Sequence, residues 1–255
     1  MQVLAIEFPP LGHIVDWPSF ALEDTAFAIN KVVLIYFASA FLTILMFVLG
    51  NKKRLVPTGA QNLAEMSIDF VEDEIVMQTM GPEGLRWTPY LLSLFLFIFF
   101  NNIFEIVPFV QMPANARIAL PMFLALLTWV LFNYAGIRSQ GLFHYLKNNL
   151  FPPGVPAFLY ILVTPIELVS TFLVRPFSLM VRLFANLLAG HILLVTFAVL
   201  SAALWTADWT AVFLPLPVIA VIFFTLFEIL VSFLQAYVFT LLAAVYIGGA
   251  MHPEH

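Results

Sequence analysis

The sequence predicts an all-α polytopic membrane protein, and three observations carry that expectation. Of its 255 residues 62% are hydrophobic and only 10% are charged, and the mean hydropathy is +1.00. A soluble domain carries about 25% charged residues, so this chain lacks the charge to cover a water-facing exterior. Its apolar residues fall in runs of about 18 or more, long enough to span a bilayer. Aromatic residues make up 16%, with 28 Phe, which suits contact with lipid. A net charge of −5 speaks against nucleic acid as a partner. There are no cysteines, so disulfides, thiol catalysis and cysteine metal sites are excluded.

The elements follow in order within a single membrane domain, 1–255. The first thirty residues, with Glu7, Pro9, Pro10, Asp16, Glu23 and Asp24, lack the basic start and apolar core of a cleaved secretory signal. Residues 32–49 are apolar and run into Asn51, Lys52, Lys53 and Arg54, as a first span with a basic stop. In 62–80, Leu63, Met66, Phe70, Ile75 and Met77 alternate with Glu65, Asp69, Glu72, Asp73 and Glu74. That spacing predicts an amphipathic surface helix. Its acidic polar face fits a protein subunit as well as lipid. Pro89 opens a second span, 89–110, whose far end carries Asn101, Asn102 and Glu105. A third span covers 118–137. Arg138 to Pro156 reads as a loop.

The stretch 158–203 is apolar apart from Glu167, Arg175, Arg182, Asn186 and His191. As one helix it would be about 69 Å long, against a bilayer core of about 30 Å. It is therefore two crossings, or one long helix that is tilted or overruns the bilayer. After a break at Trp205 to Thr210, residues 211–250 form another long run, interrupted by Glu228 and Gln235. The positive-inside rule places Lys52–Arg54, Arg138 and Lys147 in the cytoplasm. About five crossings satisfy it.

Charge at membrane depth is expensive, about 2.5–3.5 kcal/mol for a central Arg on insertion scales. Arg182 has no charged residue within six positions, and its guanidinium stays protonated at ordinary pH. Asn186 lies one turn on, on the same face. His191, nine residues on, faces the opposite way. If 158–203 and 211–250 form a hairpin about Asp208–Trp209, Arg182 comes level with Gln235, and His191 with Glu228. A buried His–Glu pair beside an Arg–Gln pair suits a proton path. Glu105, with Asn101 and Asn102, lines an aqueous inlet or sits at the headgroup boundary. Glu167 and Arg175 line an inner outlet or belong to the interfacial part of the helix. No glycine-rich phosphate loop, His-x-x-x-His pair or Gly-x-Ser-x-Gly motif is present, so no metal or cofactor is expected. A self-contained secondary transporter and a plain membrane anchor are the rival classes. The anchor leaves Arg182 unexplained.

Ser178-Leu-Met-Val-Arg182-Leu-Phe-Ala-Asn186-Leu-Leu-Ala-Gly-His191 resembles subunit a of the F-type (rotary) ATP synthase, in its membrane Fo sector. Phe227-Glu228-Ile-Leu-Val-Ser-Phe-Leu-Gln235-Ala-Tyr-Val-Phe239 is similar to that family's last-helix motif. Asn101-Asn102 with Glu105-Ile-Val-Pro108, and Pro165-Ile-Glu167 with Arg175-Pro176, fit as well. The resemblance implies two long tilted helices as a hairpin. It also implies two offset half-channels that load and unload a carboxylate on a rotating c-ring, coupling proton transport to ATP synthesis. Arg182 would be the essential cation facing the ring, with Gln235 opposite. Glu105, Asn186, His191 and Glu228, with Glu167 and Asn102, would belong to the proton pathway. The implied partners are the c-ring, b-type peripheral stalk subunits, the remainder of the synthase and membrane lipid. The chain would be no enzyme on its own. Many bacterial members exchange the acid and histidine between positions 191 and 228, whereas the order here resembles mitochondrial members. The acidic surface helix resembles bacterial ones, so a bacterial plasma membrane is expected, with the mitochondrial inner membrane as the alternative.

Overall fold

A computed structural model describes residues 30–50, 59–107, 110, 114–151, 156–205 and 209–251. The acidic N-terminal segment, Lys52–Arg54, Pro108, Pro152, Pro153, Asp208 and the 252–255 tail lie outside these. Among the described residues the protein is all-α and contains no strand. That follows from composition: inside a bilayer only helices and closed barrels satisfy every backbone N–H and C=O.

The main helices among the described residues are α1 Lys31–Gly50, α2 Ala60–Val71, α3 Thr88–Ile103, α4 Ala119–Gln140, α5 Leu142–Leu150, α6 Tyr160–Leu204 and α7 Pro215–Met251. Among the described residues four helical segments are long and apolar enough to cross a membrane: Lys31–Gly50, Ala119–Gln140, Tyr160–Leu204 and Trp209–Met251, at 20, 22, 45 and 43 residues. α3 has 16 residues, about 24 Å. It ends well before residue 110, because Ile103 to Val107 turn away from the helix and carry Glu105 with them. α6 settles the alternative left open by length. It is one helix, continuous through Pro165 and a π-helical stretch at Ser170–Val174, and about 68 Å long.

α7 packs along α3, α4 and α6. The core between them holds Leu91, Ile98, Phe132, Leu179, Leu183, Leu187, Phe239 and Ile247, all essentially inaccessible. α7 meets its neighbours through small residues at helical spacing, Ala236, Thr240, Ala243, Ala244 and Gly248, which let backbones approach closely. At Gly248 an added Cβ would lie 2.9 Å from Met80 Cγ and 3.1 Å from the Thr79 carbonyl oxygen. The end of α4 caps α7: Gln140 Nε2 donates to the Ala250 carbonyl at 2.7 Å, and Ser139 Oγ to that of Met251 at 3.1 Å. Carbonyls of a helix's last turn have no partner of their own.

The surface segment 60–79 has two apolar sides. Leu63, Met66 and Met77 are 58%, 60% and 43% exposed, while Ala64, Val71, Ile75 and Val76 are buried against the protein. The segment turns its small and β-branched residues onto the protein core, and a π-helical stretch at Glu72–Val76 brings both Ile75 and Val76 inward. One expectation is corrected: the segment after Arg138 is not all loop. Gly141, at φ 81°, ends α4 in a left-handed conformation and starts α5. There Tyr145 is buried and donates through Oη to Asn133 Oδ1 at 2.9 Å.

Candidate functional site

The long helices leave most of their surface unpartnered: only 11% of the most apolar window of α6 and 17% of that of α7 is buried. Most large exposed side chains there are apolar, among them Leu173, Phe177, Leu226 and Leu230. Arg182 is the exception. It is exposed on α6, and among the described residues it has neither an ion-pair nor a hydrogen-bond partner. Ala185, Asn186 and Ala189, three, four and seven positions on, are exposed with it and share its face. The cation therefore stands on a ridge of small side chains, open to close approach. The opposite face of the same helix buries Leu179, Leu183, Leu187 and His191.

A second group is interior. Glu105, His191, Glu228 and Gln235 are all buried, and they converge from the α3 exit turn, α6 and α7. His191 Nδ1 lies 3.3 Å from Glu105 Oε1, close enough to form an ion pair when the imidazole is protonated. The hairpin expectation paired His191 with Glu228. Instead the Glu228 carboxylate packs against Gly190, one residue earlier, where an added Cβ would collide with Oε1. Helical geometry explains the difference. Consecutive residues point about 100° apart, so when Gly190 faces α7, His191 is turned aside toward the α3 exit. Deeper along the hairpin, Asn186 Nδ2 donates to Gln235 Oε1 at 3.5 Å. Asn186, rather than Arg182, is the residue that reaches Gln235.

A cavity of about 240 Å³ adjoins this group, with Glu105, His191, Val195, Ala198, Val221 and Thr225 among its walls. Behind it lies a buried polar cluster that sequence reasoning saw only in part. Asn115 Nδ2 donates to Asn102 Oδ1 at 2.8 Å, and Asn102 Nδ2 to the Ser232 carbonyl at 3.5 Å. Glu105 Oε2, Glu228 Oε2, Gln235 Nε2, Ser232 Oγ, Asn101 Oδ1 and Asn115 Oδ1 are buried without a hydrogen-bond partner among the described residues. Buried polar atoms in proteins are nearly always bonded, to protein or to water, so this cluster is fitted to hold water. Gly190, Asn115 and Ser232 were missed. The available signal was spacing: Ser232 falls four residues after Glu228 and three before Gln235, on one helical face.

Glu167 is half-buried on α6, apart from this group. Arg175 is taken up by the aromatic face of Tyr246, with Cζ 5.4 Å from the ring centroid, a cation–π contact. Among the described residues no cluster of three or more His, Asp or Glu could hold a metal ion.

The lone cation, the buried carboxylates and the histidine all fall within the motifs quoted above. The family model for the ATP synthase A chain matches residues 32–248. The chain belongs to the ATP synthase A chain family. It is 44% identical over 241 residues to ATP synthase subunit a of Rhodococcus erythropolis, covering 93% of this chain and 88% of that one. Likeness to the Frankia alni subunit a is 42% over 242 residues, covering 94% and 83%. To that of Nitrobacter winogradskyi it is 39% over 247 residues, covering 96% and 94%. Membership of this family is consistent with the all-α fold and its four long apolar helices among the described residues.

Proposed function

We propose that this chain is the proton-conducting stator subunit of an F-type ATP synthase in a bacterial plasma membrane. It is a component of that complex and not a catalyst by itself. In this reading it forms two offset half-channels that load and unload a carboxylate on a rotating c-ring, so that proton flow drives rotation and ATP synthesis. b-type stalk subunits would hold it against rotation. The observation that carries the reading is Arg182, exposed on a ridge of small residues in an otherwise apolar surface and unpaired among the described residues.

The chemistry follows from that placement. A permanent cation attracts each arriving ring carboxylate and lowers its pKa, favouring proton release. The same charge repels a bare proton and blocks direct leakage from one half-channel to the other. The ridge of Ala185, Asn186 and Ala189 lets a ring helix approach. On the inlet side, protons reach the cavity beside Glu105 and His191 and pass through the polar cluster that includes Glu228 and Asn102. Asn186 and Gln235 stand between that cluster and Arg182. Glu167 belongs to the outlet. Each charge moved across 100 mV releases about 2.3 kcal/mol, and the lateral offset of the two half-channels turns this into rotation of one sense. The transporter alternative relies on discontinuous helices at the binding site, whereas α6 runs unbroken to Leu204.

The test is Arg182→Ala in the assembled complex. Coupled ATP synthesis should be lost while the chain still co-purifies with a c-ring. Normal coupled synthesis in that variant would sink the assignment.

A further inference from the structure

At the end of the bundle far from the α6–α7 turn, a cavity of about 500 Å³ opens between the start of α3 and the end of α4. Its walls include Glu83, Arg86, Trp87, Tyr134, Arg138 and Ser139. Two guanidinium groups thus face one space, against one carboxylate. Neither arginine is satisfied by an anion within the described chain. Arg138 Nη1 donates to Tyr134 Oη at 3.0 Å, and Arg86 Nη2 to Met251 Sδ at 2.8 Å. A thioether is a weak acceptor, and each guanidinium has five N–H donors in a fork that matches phosphate oxygens. The Trp87 indole N–H is also buried without an acceptor among the described residues.

The Trp87 ring meets that of Tyr90 edge-on, with centroids 6.4 Å apart. Tyr90 is in turn a wall of a second space, an apolar groove of about 360 Å³ between α1, α3 and α4. Ala40, Ile44, Phe47, Phe97 and Leu127 line it. Tyr90 Oη lies 2.9 Å from Thr128 Oγ1, which pins α3 to α4 at this level. Between Tyr90 and Phe97 the groove extends about 10 Å along α3. A dicationic cavity beside Trp87, with an apolar groove between helices beginning one turn along α3 at Tyr90, matches an amphiphile with a phosphate head and an acyl tail. Basic pockets between helices on the cytoplasmic side hold such headgroups, and Arg138 and Lys147 mark that side by the charge rule. A free phosphate has no use for the groove.

We propose that this cavity and groove together form a binding site for one anionic phospholipid, its phosphate between Arg86 and Arg138 and one acyl chain against α1, α3 and α4. The site lies apart from Arg182 and the buried carboxylates, so it is a structural lipid seat that ties α1 to the rest of the bundle.

The experiment uses the whole membrane complex containing this chain, stripped of lipid in a zwitterionic detergent. It is titrated with phosphatidylglycerol or phosphatidylcholine, and bound lipid is read by native mass spectrometry. The complex should prefer phosphatidylglycerol. At about 1 kcal/mol per basic group near the membrane surface, roughly fivefold each, the Arg86→Gln/Arg138→Gln double variant should bind it about 30-fold more weakly. Leu127→Trp, which fills the groove and leaves both arginines, should weaken binding of either lipid. Equal binding of the two lipids by the wild type overturns the proposal, as does an unchanged preference in the double variant. Displacement of phosphatidylglycerol by millimolar inorganic phosphate, with Leu127→Trp binding normally, would show a free-phosphate site instead. The wild-type lipid comparison decides the matter even if a variant fails to assemble.

Discussion

The carboxylate of Glu228 fills the space beside Gly190 that any side chain there would occupy. This places a buried acid from α7 directly against the backbone of α6, one residue before His191, whose imidazole faces Glu105. The two carboxylates thus approach the same stretch of α6 from different helices, one against the backbone and one against the imidazole. Glycine at 190 is a packing requirement of the acid at 228.

Gly190→Ala tests that relationship. The new methyl must displace the Glu228 head, and overpacking of this kind costs about 1–3 kcal/mol. Proton pumping driven by ATP in inverted vesicles, followed by fluorescence quenching, should fall about tenfold or more. Adding Glu228→Asp, whose side chain is one methylene shorter, should restore part of the rate. Additive losses in the double variant would show that the two positions do not share one space.

The Glu105–His191 contact makes a second prediction. Glu105→Gln and His191→Gln each remove one titratable partner from a 3.3 Å pair, and each should slow pumping. The exchanged variant Glu105→His/His191→Glu keeps both groups in the same space and should pump faster than either single variant. If the exchange is no better than the singles, position-specific contacts, rather than the presence of an acid–imidazole pair, set the rate.

Much of this was readable in the residues, and the limits are physical. Arg182, His191, Glu228 and Gln235 stand out because each is polar within an apolar run, and insertion energetics makes such residues conspicuous. Which of them touch was less readable. Pairing across a hairpin depends on the rotation of each helix about its axis, and a shift of one residue turns a side chain by about 100°. That is why Gly190, not His191, meets Glu228. Glu105 was placed near the end of a span because 89–110 is mostly apolar, yet the chain leaves the helix after Ile103. Hydropathy does not register such an exit. The protein-facing side of α2 was not legible: Leu63 and Met66 are more hydrophobic than Ala64, yet the close approach to α1 and the core favours the smaller side chain. At Gly50, on α1, an added Cβ would come within 2.9 Å of Ala64 Cβ.

The Asn102–Asn115 bond yields a prediction about stability. Asn102→Leu removes the acceptor at 2.8 Å and strands the Asn115 amide in the interior. Leaving a buried donor unsatisfied costs about 1–3 kcal/mol, so the melting temperature of the purified complex should drop. Asn102→Leu/Asn115→Leu removes both partners, and apolar replacement of a whole pair is often close to neutral. The double variant should therefore melt above the single one. A double variant less stable than Asn102→Leu would mean that Asn115 is held by other partners.

The last prediction concerns the turn between α4 and α5. Gly136 lies under the Tyr145 ring so closely that an added Cβ would overlap Cε2. Tyr145 is also fixed at its hydroxyl, which donates to Asn133 Oδ1 at 2.9 Å, so the ring cannot swing aside without losing that bond. Both constraints act on α5, a short helix with few other anchors in the interior, since Tyr145 is its one buried residue. Gly136→Ala should therefore loosen α5 from α4 rather than unfold the bundle. Tyr145→Phe, which keeps the ring and drops the hydroxyl, should do so more mildly, by about 0.5–1.5 kcal/mol. Limited proteolysis after Lys147 reads this directly, with cleavage fastest in Gly136→Ala, slower in Tyr145→Phe and slowest in the wild type. Equal cleavage of Gly136→Ala and the wild type would show that the ring has room to move.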